Sequence, residues 1–205
     1  MPLQNRVTPL GDIVAVPERG GFMGNRGVLH DEHRQLGARR WALKAWLICR
    51  LEFRGRHRDV MTPRRYTELF FFDEAAAIAA GHRPCGECRH DAFRTWQDAW
   101  QSAQALDTPP RARDIDAQMH GERVDIRTRR QQRWQTRFGA LPDGAFIIRE
   151  NGPCLVRSGR MHAWSWQGYG PPRACPSGEI VTVLTPPSSV AVLQAGYRPA
   201  INIPG

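Results

Sequence analysis

The sequence predicts an α+β fold in which a small antiparallel sheet is combined with a few helices. Three observations support this class. Short strand-like segments follow one another across Gly and Pro turns, helical patterns occur at a few separated places, and residues 111–138 form a polar, Arg-rich stretch. We expect one domain in which residues 1–106 and 139–205 complete each other, while residues 107–138 form an Arg-rich helical excursion or linker.

The amino-terminal part contains strand-like and glycine-rich segments. Residues 5–16 hold short apolar stretches broken by a proline and a glycine, which predicts a strand and a turn. Residues 19–27 contain four glycines, and this density favours a shaped loop over regular structure. An apolar run over residues 41–53 ends with the alternation of a strand, and residues 57–61 are predicted as the next strand.

The most strand-like segment covers residues 66–72. Its period-two geometry places Glu68 on the same face as three aromatic rings. Asp73 then has the side chain that caps a helix, and we predict that helix over residues 74–80. Gly81 fits the left-handed position that ends it.

The rest of the chain returns from helix to strands. A helix over residues 87–105 is indicated by aromatic residues three and four positions apart on one side. After a Pro-Asp-Gly turn, residues 145–149, 154–157 and 180–184 are predicted strands. Residues 185–196 are predicted to form a helix, with Pro before it and Gly after it.

The charge distribution favours a polyanionic partner. The formal net charge is +9, and residues 34–65 carry ten Arg or Lys against two acidic residues. Such a band attracts nucleic acid by long-range Coulomb forces and counterion release, so DNA, including single-stranded or damaged DNA, is the first partner that we expect. The residues predicted to contact it are Arg26, Arg54, Arg56, Arg58, Arg64 and Arg65, with Trp164 and Trp166 as stacking faces.

Cysteine usage and hydropathy indicate the compartment. No stretch approaches the roughly 18 consecutive apolar residues of a membrane helix, and the amino terminus lacks the layout of a signal peptide. The five cysteines are scattered, unlike a disulfide framework. We therefore expect a cytoplasmic protein with no membrane partner, in which metal binding explains the one close cysteine pair.

That pair is Cys85-Gly86-Glu87-Cys88. A two-residue spacer lets both thiolates reach one ion while the backbone turns into a helix, which predicts a zinc knuckle. A redox pair of the thioredoxin type fits less well, because no parallel-sheet pattern surrounds it. The upstream candidates for the remaining ligands are His30, His33, Cys49 and His57, of which we choose His30 and Cys49. The alternative for Cys49 is a plain core cysteine.

The setting of the pair resembles a known family. Residues 71–89 are similar to the second half of the zinc-binding domain of the Ada methyl-phosphotriester DNA repair proteins, where a strand, an Ala-rich helix, a Gly and Arg-Pro-Cys lead into Cys-x-x-Cys. The resemblance implies a tetrahedral zinc site and DNA contact. It implies Cys85 and Cys88 as the second ligand pair of that site. The first pair of the family, which includes a methyl-accepting cysteine, has no counterpart in this sequence, so that role does not carry over.

A second pattern suggests different zinc chemistry. His30-Asp31-Glu32 upstream of Pro84-Cys85-Gly86-Glu87-Cys88 matches the His-x-Glu and Pro-Cys-x-x-Cys signature of zinc nucleobase deaminases. In that reading His30 is a metal ligand and Glu32 carries the proton. The long gap and the Ala-rich helix before the cysteines count against it.

Candidate catalytic residues follow from the same segments. His30, Asp31 and Glu32 bring titratable groups together after a glycine-rich stretch, where a substrate can approach the backbone. Glu68 is a candidate general base if its aromatic neighbours desolvate it. The alternatives are a solvated helix start for the first three and a buried ion-pair partner of an arginine for Glu68.

Three functions remain open from the sequence. The first is a zinc-containing DNA-binding protein of repair or defence that processes damaged or modified DNA as a hydrolase, in the manner of a glycosylase or nuclease. The second is a zinc-dependent nucleobase deaminase, and the third is a non-catalytic nucleic-acid or protein binding module. Metal coordination separates them, because four protein ligands close a structural site while three leave a position for catalysis.

Overall fold

The computed structural model describes residues 1–55 and 59–203, which form four α-helices and two six-stranded sheets. The predicted α+β class is confirmed, with more β structure than the small sheet expected. The helices are α1 (Glu74–Ala79), α2 (His90–Ala103), α3 (Ala112–Arg123) and α4 (Pro187–Gln194). None of the helices in these ranges is both long and apolar enough to cross a membrane.

The first sheet is built from short strands of the amino-terminal half. They are β1 (Arg6–Val7), β2 (Ile13–Val14), β3 (Phe22–Asn25), β4 (Leu47–Cys49), β5 (Leu69–Phe71) and β6 (Arg83–Pro84). Their order is β2-β1-β5-β3-β4-β6, in which β1 with β5 and β4 with β6 are parallel and the other neighbours are antiparallel.

The second sheet is antiparallel throughout and comes from the carboxyl-terminal half. Its order is β11-β10-β9-β8-β12-β7. The strands are β7 (Trp134–Arg137), β8 (Phe146–Arg149), β9 (Gly152–Arg157), β10 (Arg160–Ser165), β11 (Gly168–Arg173) and β12 (Ile180–Val183); a 3₁₀ turn, Phe138–Ala140, follows β7.

The glycine-rich segment predicted as a loop contains a strand, so that prediction was wrong. The strand is β3, which pairs with both β4 and β5. A Cβ atom on Gly24 would lie 2.0 Å from the carbonyl oxygen of Leu47. The missing side chain therefore allows the close backbone approach that puts Met23 opposite Cys49.

Helix α1 has the ends that its sequence predicts. The carboxylate of Asp73 accepts a hydrogen bond from Ala76 N at 2.8 Å, and Gly81 has φ +84°. Every residue of α1 is buried, because alanines let sheet and helix approach closely. Helix α2 packs against α4, and its Trp96 ring meets Tyr197 edge to face at 5.0 Å.

The Arg-rich stretch is not an excursion away from the fold. Ile115 and Met119 of α3 are buried in the main core, and the carboxylate of Asp116 makes a bidentate ion pair with buried Arg83 at 2.8 and 2.7 Å. Its later residues form β7 at the edge of the second sheet. The helix can therefore bury Asp116 beside a thin apolar stripe, because the ion pair satisfies its carboxylate. One apolar cluster takes side chains from residues 1–106, 107–138 and 139–205.

Candidate metal centre

Three cysteines meet at the edge of the first sheet. Strand β4 ends in Cys49, and its parallel partner β6 leads directly into Cys85, whose N–H donates to Ile48 O at 2.9 Å. The following turn brings back Cys88. The three sulfur atoms lie within 4.8 Å of one another, which is close enough to bind one metal ion. We call these three residues the cysteine cluster.

The cysteine cluster is shielded from solvent and hydrogen bonded. Its residues are 7%, 7% and 9% exposed, and Glu87 N–H lies 3.4 Å from the sulfur of Cys85. Hydrogen bonding among the three thiols raises the pKa of Cys49 and lowers the pKa of Cys85 and Cys88. A lowered thiol pKa favours the thiolate, which is the form that binds metals.

A cavity of about 340 Å³ opens beside the cluster, and we call it the cysteine cavity. Its lining includes all three cysteines and Glu68. The Glu68 carboxylate is buried and accepts a hydrogen bond from Met61 N at 2.8 Å. The aromatic side chains in the lining are Phe53, Tyr66 and Phe70. Sulfur ligands, a carboxylate and flat apolar rings therefore share one cavity.

The histidine predicted as a metal ligand does not join this group. Among the described residues, the cluster that could bind an ion consists of the three cysteines. His30 is buried elsewhere, with Nδ1 2.6 Å from Thr67 Oγ1 and Nε2 3.2 Å from Thr62 O. The ring braces the segment before β5. The predicted constellation of His30 with Cys85 and Cys88 is therefore not brought together.

The two acidic residues after His30 are also separate from the cavity that holds the cysteines. Both Asp31 and Glu32 are exposed. The Asp31 carboxylate accepts from Gln35 N and His33 N, both at 2.9 Å, and these backbone hydrogen bonds lower its pKa. Asp31 therefore shapes a turn. Of the predicted catalytic residues, Glu68 is the one placed beside the cysteines.

The residues predicted to contact nucleic acid fall into several environments. Arg54, Arg64 and Arg65 are exposed, while Arg26 is buried in a different cavity. Trp164 and Trp166 are half-buried, with ring centroids 5.3 Å apart. The predicted contacts Arg56 and Arg58, the ligand candidate His57 and the start of the predicted strand 57–61 lie outside the described residues.

A buried polar group around Trp46 was missed from the sequence. The guanidinium carbons of Arg26 and Arg123 lie 4.0 and 4.1 Å from its ring centroid, and His82 packs beside it. One signal could have revealed Arg123. It follows Met119 by four residues, so a helix places it on the buried face.

No protein-family model matches this chain, and no curated protein and no solved structure matches it.

Proposed function

We propose that this chain is a zinc protein that processes DNA, with its chemistry at the cysteine cluster. The observation that carries the proposal is the shared lining of the cysteine cavity, where three clustered sulfurs and the Glu68 carboxylate face one space. A cavity of about 340 Å³ falls in the range of ligand sites in proteins.

Zinc fits the donor set. Thiolates are soft ligands that zinc accepts in tetrahedral sites, and backbone N–H groups beside Cys85 and Cys88 compensate part of their charge. Three protein ligands are the pattern of zinc sites that keep a fourth position for water or substrate. The described residues supply three such ligands.

The roles of the chain's own residues follow from their positions. Cys49, Cys85 and Cys88 would hold the zinc ion, which would supply Lewis-acid chemistry when bound. Glu68 takes and returns the proton of the reaction, and Met61 N–H holds one of its oxygens in place. Phe53 and Phe70 exclude water and offer flat surfaces to a planar base. Arg64 and Arg65, next to cavity residue Tyr66, bind strand phosphates.

One specific form of this function is base deamination. Zinc deaminases combine a three-ligand zinc site, of the His-Cys-Cys or Cys₃ type, with a glutamate that is not a ligand. Here that combination is Cys49, Cys85 and Cys88 with Glu68, in place of the His30 and Glu32 suggested by the sequence pattern. The net reaction would exchange the exocyclic amine of a base for the oxygen of water, with release of ammonia.

The deciding experiment joins metal analysis to product analysis. X-ray absorption at the zinc edge should show three sulfur neighbours and one oxygen or nitrogen. The zinc-loaded protein is then incubated with single-stranded DNA and with duplexes containing modified or mismatched bases. Mass spectrometry distinguishes amine loss, base loss and strand cleavage. Four protein ligands around zinc and unchanged DNA with every substrate would instead indicate a non-catalytic binding module.

A further inference from the structure

A second cavity, of about 590 Å³, is rich in arginine, and we call it the arginine cavity. Its walls come from the turn between β1 and β2, the segment between β3 and β4, and the segment from the end of α3 towards β7. Six arginines line it against one carboxylate, that of Asp12. These arginines are Arg26, Arg40, Arg123, Arg129, Arg130 and Arg133. None of them belongs to the cysteine cavity.

Two of these arginines are deeply buried. Arg26 and Arg123 are 2% and 1% exposed, and both guanidinium groups lie over the ring of Trp46. Arg129, Arg130 and Arg133 are exposed. The cavity thus has two buried cations against the ring of Trp46 and further cations at its solvent side.

The hydrogen-bond partners of the two buried guanidinium groups are neutral. Arg26 donates to His82 Nε2 at 3.2 Å and to Gly11 O at 3.1 Å. Arg123 donates to Gly81 O at 2.7 Å and to Lys44 O. Nη2 of Arg26 and Nε of Arg123 have no hydrogen-bond partner among the described residues.

Two buried cations whose hydrogen-bond partners are neutral are costly for a fold. Burial lowers the pKa of both Arg26 and Arg123 to about 9, and the charge of Arg26 further lowers that of Arg123. Contact with Trp46 recovers part of this cost, since the face of an indole ring attracts cations. A dianion bound in the arginine cavity would compensate both charges.

We propose that the arginine cavity binds the terminal phosphate monoester of a nucleotide or of a nucleic acid strand. Arg26 and Arg123 are the buried arginines of the cavity and Arg129, Arg130 and Arg133 are its exposed ones, so an anion that approaches the buried pair must stand at one end of its ligand. A phosphate monoester is a dianion with three acceptor oxygens, which matches two guanidinium groups. Half-buried Trp41 also lines the cavity and offers its ring to the attached base. This site uses no residue of the metal centre and does not rest on the function proposed there.

The test measures binding to the full-length purified chain by isothermal titration calorimetry. The probes are adenosine monophosphate against adenosine, and a short single-stranded oligonucleotide with a 5′-phosphate against the same strand with a 5′-hydroxyl. We expect at least one phosphorylated probe to bind about tenfold tighter or more than its unphosphorylated partner, because the partner lacks the charge-assisted hydrogen bonds of the phosphate. Preference for the nucleotide or for the strand identifies the source of the phosphate.

Two variants and a matched control locate the site. The double variant Arg129→Gln with Arg133→Gln removes two exposed charges. It should lower the affinity for phosphorylated probes by about tenfold and leave the melting temperature unchanged. Arg94→Gln with Arg113→Gln removes two exposed charges elsewhere and should leave binding nearly unchanged. Arg26→Met should abolish the phosphate preference in a chain that circular dichroism shows to be folded. Equal binding of phosphorylated and unphosphorylated probes by the wild type, or equal effects of the two double variants, would overturn the proposal.

Discussion

Nε of Arg26 donates a hydrogen bond to Nε2 of His82 at 3.2 Å, which fixes the histidine as a neutral acceptor. The other ring nitrogen lies 3.3 Å from Ala77 O, so it carries the proton and donates to the end of α1. His82 is fully buried, and burial together with the charges of Arg26 and Arg123 lowers its pKa well below the ordinary value. Helix α1 and the arginine cavity are therefore coupled through one uncharged imidazole.

The first prediction is that His82 makes the fold sensitive to acid. The ordinary pKa of a histidine is 6.5, and at pH values above it the imidazole of residue 82 is neutral in the folded and in the unfolded chain. At pH values below 6.5 this histidine binds a proton in the unfolded chain but stays neutral in the folded chain, so the free energy of unfolding falls as pH falls. His82→Gln should flatten this slope between about pH 7 and about pH 5, measured by urea unfolding. His90→Gln, at an exposed position, is the control, and equal slopes in both variants would contradict the prediction.

The second prediction concerns the ion pair between α3 and β6. Asp116→Ala leaves Arg83, whose side chain is 5% exposed, as a buried charge without its carboxylate. We expect a loss of about 3–5 kcal/mol in the free energy of unfolding. Asp114→Ala removes a carboxylate from the exposed side of the same helix and should cost less than about 0.5 kcal/mol. Urea unfolding measures both, and a small effect of Asp116→Ala would mean that Arg83 finds another partner.

The third prediction is that zinc depends on all three residues of the cysteine cluster. The purified protein should contain about one equivalent of zinc, and Cys49→Ser should lose most of it together with thermal stability. Cys175→Ser, a half-buried cysteine outside the cluster, should keep both. Elemental analysis and thermal melting with and without a chelator make the comparison. Full zinc content in Cys49→Ser would remove that residue from the site.

The fourth prediction separates two candidate proton carriers. Glu68→Gln keeps the acceptor for Met61 N–H but cannot take a proton, so turnover should fall about 10²–10⁴-fold with little change in DNA affinity. Glu32→Gln is the matched control, because Glu32 is exposed and does not line the cysteine cavity. Steady-state kinetics on the substrate found by product analysis decides between them. Loss of turnover in Glu32→Gln alone would move the chemistry to the loop that contains it.

The fifth prediction concerns DNA contact by exposed arginines. Binding should weaken steeply as salt rises, because guanidinium groups displace counterions from phosphates. Changing Arg54, Arg64 and Arg65 together to Ala should lower the slope of log affinity against log salt by about 2–3. A triple change of Arg94, Arg113 and Arg160, all exposed, controls for net charge. Fluorescence anisotropy over a salt series is the measurement, and a flat salt response in the wild type would exclude a DNA partner.

Local signals in the sequence predicted local structure well. The cap at Asp73, the stop at Gly81 and the cysteine pair are each encoded within a few residues, and all three lie where expected. Cys49 was identified because it ends a strand upstream. Long-range pairing was not readable, since nothing near Gly24 reveals that a carbonyl of a distant strand approaches it.

Burial of polar side chains was the other limit. His30 has the residue type of a zinc ligand, and its actual partners Thr62 and Thr67 lie more than thirty positions away in the chain. Arg123 lies in a stretch whose composition indicates exposure, yet it is among the largest buried side chains. In both cases the hydrogen-bond partners that satisfy the buried side chain come from a separate part of the chain.

The parallel alignment of β4 with β6 gives an ion at this site a mechanical role. Strand β6 is two residues long and forms the edge of its sheet, and its second residue, Pro84, has no N–H to add to the ladder. Slippage by one position would turn Cys49 to the opposite face of the sheet and away from Cys85. An ion bound across the two strands would therefore lock their alignment, so that metal release and fraying of this edge become one event.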